Sequence, residues 1–169
     1  MDSTILAKAL AGPSWRFVAS HPAHLIALLA GVGLIRFAPG TFGSLGAIPL
    51  HWWAAAHLNA HLHLAAIALL FAIGIWATGR TSRDLGVADH GGIVWDETVA
   101  FLLVLFFTPA EPVWQALAFV LFRVFDIVKP PPIRHFDRTV HGGFGVMFDD
   151  LLAAGYSLLC LAALKALLV

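Results

Sequence analysis

The sequence predicts an all-α, polytopic membrane helical bundle of about four to five spanning helices, preceded by an N-terminal interfacial or re-entrant helix. Three observations predict it. Of 169 residues, 60% are hydrophobic and only 12% are charged, against about 45–50% and about 25% in an ordinary soluble domain. The apolar residues gather into runs, and Lys and Arg crowd into alternate connections between them. A soluble protein of this length cannot hide so much apolar surface, so a bilayer is its natural solvent. The same figures exclude a disordered chain and a nucleic-acid binder. Cys160 is the single cysteine, which excludes an internal disulfide, and it reads as a small filler in an apolar run. The length suits one domain, 1–169, comprising an N-terminal segment 1–35 and a helical bundle 36–169.

The elements follow in chain order. The stretch 24–35 is too short to span alone, and Lys8 and Arg16 precede it. It reads as an interfacial or re-entrant helix. A cleaved signal peptide is the alternative, but the run continues into a Gly/Pro turn. Further apolar runs cover 44–58, 64–79, 98–122 (broken at 108–112) and 151–169. The run 64–79 has 16 residues. At ~1.5 Å per residue it covers about 24 Å of a ~30 Å hydrocarbon core, so its polar flanks must extend the helix into the headgroups.

Threaded back and forth, these runs put Arg36, Arg80, Arg83, Arg123, Lys129, Arg134 and Arg138 on one side. The opposite connections, 59–63 and 108–112, contain no Lys or Arg. Excess basic residues mark the cytoplasmic side. Eight of the ten acids share it: Asp84, Asp89, Asp96, Glu97, Asp126, Asp137, Asp149 and Asp150. Only Asp2 and Glu111 do not. Asp96-Glu97 starts one helix, Asp126 ends the next, and Asp149-Asp150 starts the last. Five carboxylates thus converge at one depth. Ionised acids near the hydrocarbon edge are costly and repel one another unless cations compensate. Capping through the helix dipole, worth ~0.3–1 kcal/mol per acid, is the alternative. It explains one acid at a helix start, not a pair at both, and it disfavours Asp126. Clustered hard oxygens without cysteine point to Mg²⁺ or a similar ion, with Asp84 and Asp89 as further ligands.

Other features share that side. The turn Ala38-Pro39-Gly40-Thr41-Phe42-Gly43-Ser44 offers backbone N–H groups and two hydroxyls to a phosphate. A plain turn with Thr41 or Ser44 as N-cap is the alternative. Arg123, Asp126 and Lys129 share a helical face, which Pro130, Pro131 and Pro132 terminate. Such basic residues fit a multiply charged anionic substrate, or else a flank that binds lipid headgroups. Gly142-Gly143-Phe144-Gly145 reads as a flexible turn that lets backbone approach a ligand. His90, His135 and His141 lie on the acid side, where one could protonate a leaving alkoxide. His57, His61 and His63 lie opposite, without a carboxylate, and read as interfacial packing. Trp52, Trp53, Trp76, Trp95 and Trp114 read as interface anchors. No Cys-to-Arg phosphatase loop, Asp-x-Asp or Pro-Ser-Gly-His segment is present. Phosphate chemistry here therefore needs a metal-activated water or a carboxylate nucleophile. A small cation transporter would also collect acids, but at mid-bilayer on both sides of a pathway.

Five blocks are familiar in order: 39–45, 81–84, 89–97, 122–130 and 137–150. Their sequences include Pro39-Gly40-Thr41-Phe42-Gly43-Ser44-Leu45, Trp95-Asp96-Glu97, Phe125-Asp126-Ile127-Val128-Lys129-Pro130 and Phe148-Asp149-Asp150. Together they resemble the phosphatidylglycerophosphatase A family over about residues 36–156. Ala100, Pro131 and Val146 depart from its pattern without removing a charge, and 1–35 is not covered. The resemblance implies a multi-pass, Mg²⁺-dependent enzyme of the bacterial inner membrane. Its reaction would hydrolyse the terminal phosphate monoester of phosphatidylglycerol phosphate at the cytoplasmic face, giving phosphatidylglycerol and inorganic phosphate. On that reading Asp96, Glu97, Asp126, Asp149 and Asp150 hold one or two Mg²⁺ ions, helped by Asp84 or Asp89. Arg83, Arg123, Lys129 and Arg134 balance phosphate charge. Thr41, Gly43 and Ser44, with Asp137, Arg138, Gly142 and Gly143, complete the substrate-binding set. The partners are the lipid substrate and the membrane, with a homo-oligomer left open and no nucleic acid. Another lipid phosphate, or cation transport, stands as the alternative.

Overall fold

Prolines and small polar residues mark where the helices begin. Pro22, Pro39 and Pro112 each occupy the start of a helix, where proline forfeits no internal hydrogen bond. The Asn59 side chain caps another by accepting from the Leu62 N–H at 3.0 Å. The computed structural model describes residues 13–168. The short helices α1 (Trp15–Ser20) and α2 (Pro22–Ala27) lead through a 3-10 segment, Leu29–Leu34, to the main bundle. There follow α3 (Pro39–His57), α4 (Ala60–Leu85), α5 (Trp95–Phe107), α6 (Pro112–Val128), α7 (Ile133–Thr139) and α8 (Gly142–Leu168). No strand occurs among the described residues.

Helix α5 is the axis of the core, packed against α3, α4, α6 and α8. Phe101, Val104 and Leu105 are fully buried there beside Phe122 and Met147. In a bilayer, lipid tails are as apolar as these side chains, so close contact and hydrogen bonds must join the helices. Both are present. A Cβ on Gly143 would lie 1.9 Å from the Ile75 carbonyl oxygen, so the backbones of α4 and α8 touch. Thr78 Oγ1 donates across that crossing to the Gly143 carbonyl at 3.2 Å. Thr98 Oγ1 likewise donates to the Gly43 carbonyl at 2.9 Å, tying α5 to α3.

Helices α4 and α8, of 26 and 27 residues, are long and apolar enough to cross a membrane. Helices α5 and α6 have 13 and 17 residues, and α3 has 19 with Pro49 inside it. The stretch 24–35 is not one helix. It breaks after α2 and kinks at Ala30 and Gly31, where φ is 50° and 101°. This segment seats the start of α5, because the Val94 N–H donates to the Ala27 carbonyl at 2.9 Å. A Cβ on Gly33 would stand 1.9 Å from the Gly92 carbonyl oxygen, so these two stretches of backbone also touch. Asp2 and Lys8 lie outside the described residues.

The connections 35–38, 86–94 and 129–132, with α7 and the turn after it, gather at one end of the bundle. At the other end Trp52 Nε1 donates to Gln115 Oε1 at 3.1 Å, and the rings of His51 and His63 lie 5.3 Å apart. The sequence grouped His57 with His61 and His63. In the fold His63 meets His51, and His57 Nδ1 instead donates to the Trp53 carbonyl at 2.7 Å. Trp95 is no interface anchor either, since its indole N–H donates inward to the Leu70 carbonyl at 3.1 Å.

Candidate active site

Three acids meet where α5 begins beside α8. Asp96 and Glu97 occupy the first turn of α5, and Asp150 projects from α8. One oxygen from each lies within 4.8 Å of the others. Asp96 and Asp150 are buried, at 7% and 3% exposure. Asp96 Oδ1, Glu97 Oε2, Asp149 Oδ1 and Asp150 Oδ2 have no hydrogen-bond partner. A buried polar atom left unpaired costs ~1–3 kcal/mol, and a charged one costs more. The α5 dipole offsets only ~0.3–1 kcal/mol of this per acid. Such a set, all carboxylate oxygen, fits a hard divalent ion such as Mg²⁺.

Two basic side chains flank the trio. Arg123 of α6 places Nη1 2.7 Å from Asp126 Oδ2 and 3.7 Å from Glu97 Oε1. The same nitrogen donates to Ser44 Oγ at 3.5 Å, and Ser44 in turn donates to the Gly40 carbonyl at 3.0 Å. A Cβ on Gly40 would sit 1.9 Å from Glu97 Oε1, so only bare backbone fits against this carboxylate. Lys129 ends α6 in the left-handed region, with φ at 45°. Its Nζ donates to Asp137 Oδ1 at 2.7 Å and also to Asp149. Burial disfavours charge on Lys129, but the bonds to Asp137 and Asp149 outweigh it and raise its pKa above the ordinary lysine value. Lys129 is therefore a fixed cation. Asp89, Asp137, His141 and Asp149 border a small adjoining cleft of about 40 Å³.

The remaining sequence candidates divide. Asp84 is drawn away from the trio, since its Oδ2 accepts from His24 Nε2 at 2.9 Å and from Arg80 Nε at 2.7 Å. Arg83 and Arg138 are exposed, and Arg134 Nη2 donates to the Val128 carbonyl at 3.2 Å. The stretch 41–44 is not a turn before a helix. Pro39 starts α3, so the Thr41 N–H already donates to the Ala38 carbonyl, and Gly43 and Ser44 lie in the next turn. Ser44 reaches the site through its hydroxyl. Gly43 lets α3 approach α5, because a Cβ there would meet the Val94 carbonyl oxygen at 2.8 Å. Gly143, expected in a flexible turn, lies inside α8 against α4. Gly142 does take a positive φ, 77°, at the helix start. Of the three acid-side histidines, His141 borders the cleft, whereas His90 Nδ1 accepts from the Gly92 N–H at 3.0 Å.

Sequence reading missed Gly40 and the His24–Asp84 pair. Pro39 was a legible helix-start signal that would have exposed the first. Nothing in the sequence marks the second, whose partners lie sixty positions apart.

Two apolar helices of membrane-crossing length, with an all-oxygen acid pocket near Arg123 and Lys129, fit a membrane-associated helical protein whose site suits an anionic group beside a cation. Comparison with known proteins narrows this class. The family model described as Phosphatidylglycerophosphatase A matches residues 25–165. The chain belongs to the phosphatidylglycerophosphatase A family, and it is an enzyme. The phosphatidylglycerophosphatase A of Escherichia coli K12 is 45% identical over 139 residues, covering 82% of this chain and 80% of its own. That of Haemophilus influenzae is 44% identical over 146 residues, covering 86% and 90%. A Bacteroides thetaiotaomicron protein, provisionally named a phosphatidylinositol-3-phosphatase, is 38% identical over 143 residues, covering 80% and 88%. No solved structure matches the chain.

Proposed function

We propose that this chain hydrolyses the terminal phosphate monoester of phosphatidylglycerol phosphate, with Mg²⁺ as cofactor, at the cytoplasmic face of the bacterial inner membrane. The convergence of Asp96, Glu97 and Asp150 oxygens within 4.8 Å carries this reading. These three would hold the ion, with Asp126 and Asp149 beside them. Charge stabilisation of the phosphoryl oxygens and a more acidic water are the chemistry such an ion supplies when bound. Arg123 and Lys129 meet the remaining phosphate charge, each already anchored by a carboxylate. An unpartnered carboxylate oxygen of Asp96 or Asp150 accepts the proton of the attacking water as the new P–O bond forms. The bond from phosphorus to the glycerol oxygen breaks, and His141 returns a proton to that oxygen from the adjoining cleft.

Helix α4 spans the bilayer with α8, and α3, α5 and α6 complete four to five crossings when their polar flanks reach the headgroups. Residues 1–169 act as a single domain, with 36–169 as its catalytic helical bundle. The arginines and lysine at the acid end support a cytoplasmic orientation for it.

The test is phosphate release by the purified full chain in lipid nanodiscs, with Mg²⁺ or with EDTA. Phosphatidic acid and phosphatidylinositol-3-phosphate serve as competing substrates, the latter prompted by the Bacteroides relative. Release from phosphatidylglycerol phosphate only when the divalent ion is present is expected. Undiminished release in EDTA overturns the cofactor, and faster release from another headgroup overturns the substrate. Thiol labelling of Arg138→Cys only after permeabilisation, and of Ala110→Cys in intact spheroplasts, checks the orientation.

A further inference from the structure

One flank of the bundle is left unfilled. An apolar groove of about 700 Å³ runs along α8, flanked by Trp114 of α6 and by Phe107 and Pro109 just before that helix. Leu151, Gly155, Leu159 and Ala162 of α8 line it, with Trp114 opposite and Lys165 at its far end. Its upper end begins one residue along α8 from Asp150, at the depth of the acid cluster, although none of the acids lines it. Tyr156, which also lines the groove, donates from its hydroxyl to the Pro131 carbonyl at 3.1 Å. That bond ties the groove to the loop that follows Lys129. From Leu151 to Lys165 the helix rises about 21 Å at ~1.5 Å per residue. One leaflet's share of a ~30 Å hydrocarbon core is about 15 Å. The groove therefore starts at headgroup-site depth and is longer than one leaflet's chains need.

Gly155 makes the space. A glycine in mid-helix costs about 0.5–1 kcal/mol relative to alanine. At Gly79, in the middle of α4, the packed backbone of Gly143 explains such a residue. At Gly155 nothing does, since an added Cβ would meet no atom within 4 Å. What its missing side chain leaves is room on the groove floor.

We propose that this groove binds one fatty-acyl chain of the lipid whose phosphate is held at the acid cluster. The proposal rests on the lipid phosphatase reading above and adds where the lipid's tail lies and what the enzyme selects. A long apolar chain gains contact along α8, whereas a short-chain phosphate monoester of the same headgroup does not. Chain length, as well as headgroup, is then part of the substrate's recognition.

The experiment compares kcat/KM of the full chain for phosphatidylglycerol phosphate carrying 16-carbon or 6-carbon chains, in wild type, Gly155→Ala and Gly155→Phe. The wild type is expected to favour the long chains at least tenfold. Gly155→Phe, which fills the groove, should lower that ratio at least tenfold, mainly through KM, while Gly155→Ala keeps most of it. A folded Gly155→Phe protein with the wild-type ratio overturns the proposal. So does an equal loss on both substrates, or a changed oligomeric state with the ratio preserved, which would make the groove a contact between copies. A second measurement stands apart from folding of the variant. A phospholipid with a photoactivatable group in its acyl chain should label wild-type peptides within 151–162, and labelling confined elsewhere overturns the groove. If the wild type hydrolyses neither substrate, the reaction itself is wrong, and the label still reads the groove.

Discussion

The two ends of the bundle bury polar groups on the same helices, yet they do so in opposite ways. At the far end Trp52 and Gln115 satisfy each other, and the tilted rings of His51 and His63 each leave one buried nitrogen unpaired, all without a carboxylate or guanidinium. At the other end Asp96, Glu97, Asp126, Asp149 and Asp150 face only Arg123 and Lys129. Were all five ionised, the two cations, one of them shared with Asp137, would leave at least three charges uncompensated, in a setting where like charges repel strongly. A bundle selected for stability alone would not assemble them. The far end shows what these helices do when polarity serves packing, and the acid end shows what they tolerate when it serves chemistry.

Removing one acid should separate the ends most sharply. Asp96→Asn or Asp150→Asn is expected to reduce phosphate release by about 10³-fold, the several kcal/mol of a lost ion site. The same variants should melt no lower than wild type without Mg²⁺, because an uncompensated buried charge has gone. Unfolding of both variants would erase the contrast. Next in size, Mg²⁺ at a hundred times its dissociation constant should stabilise the wild type by about 2.7 kcal/mol in thermal melts. Asp150→Asn should lose that response, and EDTA should abolish it. Lys129→Met should cut release by about 10²-fold, as expected for one lost electrostatic donor. It should also destabilise the fold by about 1–3 kcal/mol, because Asp149 is left buried without its partner. Gly143→Ala pushes α4 and α8 apart and should cost about 1–3 kcal/mol in denaturant unfolding. Smallest of all, Gln115→Leu at the far end should cost about 1 kcal/mol and leave phosphate release unchanged.

Much of this was legible in the sequence because it depends on local spacing. The break before Pro112, the stop after Lys129 and the acids at helix ends all follow from residues adjacent in the chain. Mutual approach was harder to read. Asp84 looks like its neighbours on paper, but Arg80 holds it from one turn earlier on α4, and His24 claims it from α2, which only the fold brings near. Of the two glycine-rich stretches, 38–44 read as a turn suited to a phosphate and 142–145 as a flexible turn that lets backbone approach a ligand. Both instead sit in helices, where lacking a Cβ lets backbone press on Glu97, Val94 or Ile75. Composition cannot tell a glycine that bends from one that makes room. The apolar runs marked the helices but not how many cross the membrane, since α5 is as apolar as any and is sheathed by its neighbours.

The seat beneath α5 has a consequence of its own. Because Val94 is pinned to Ala27, and Gly92 lies against Gly33, the rotational phase of α5 is dictated by a part of the chain that contributes nothing to the acid trio. One residue inserted between that anchor and Trp95 would swing Asp96 and Glu97 by about 100° and displace them about 1.5 Å along the axis. The spacing at this junction is therefore as constrained as the identity of the acids, although the pinning residues never meet the phosphate.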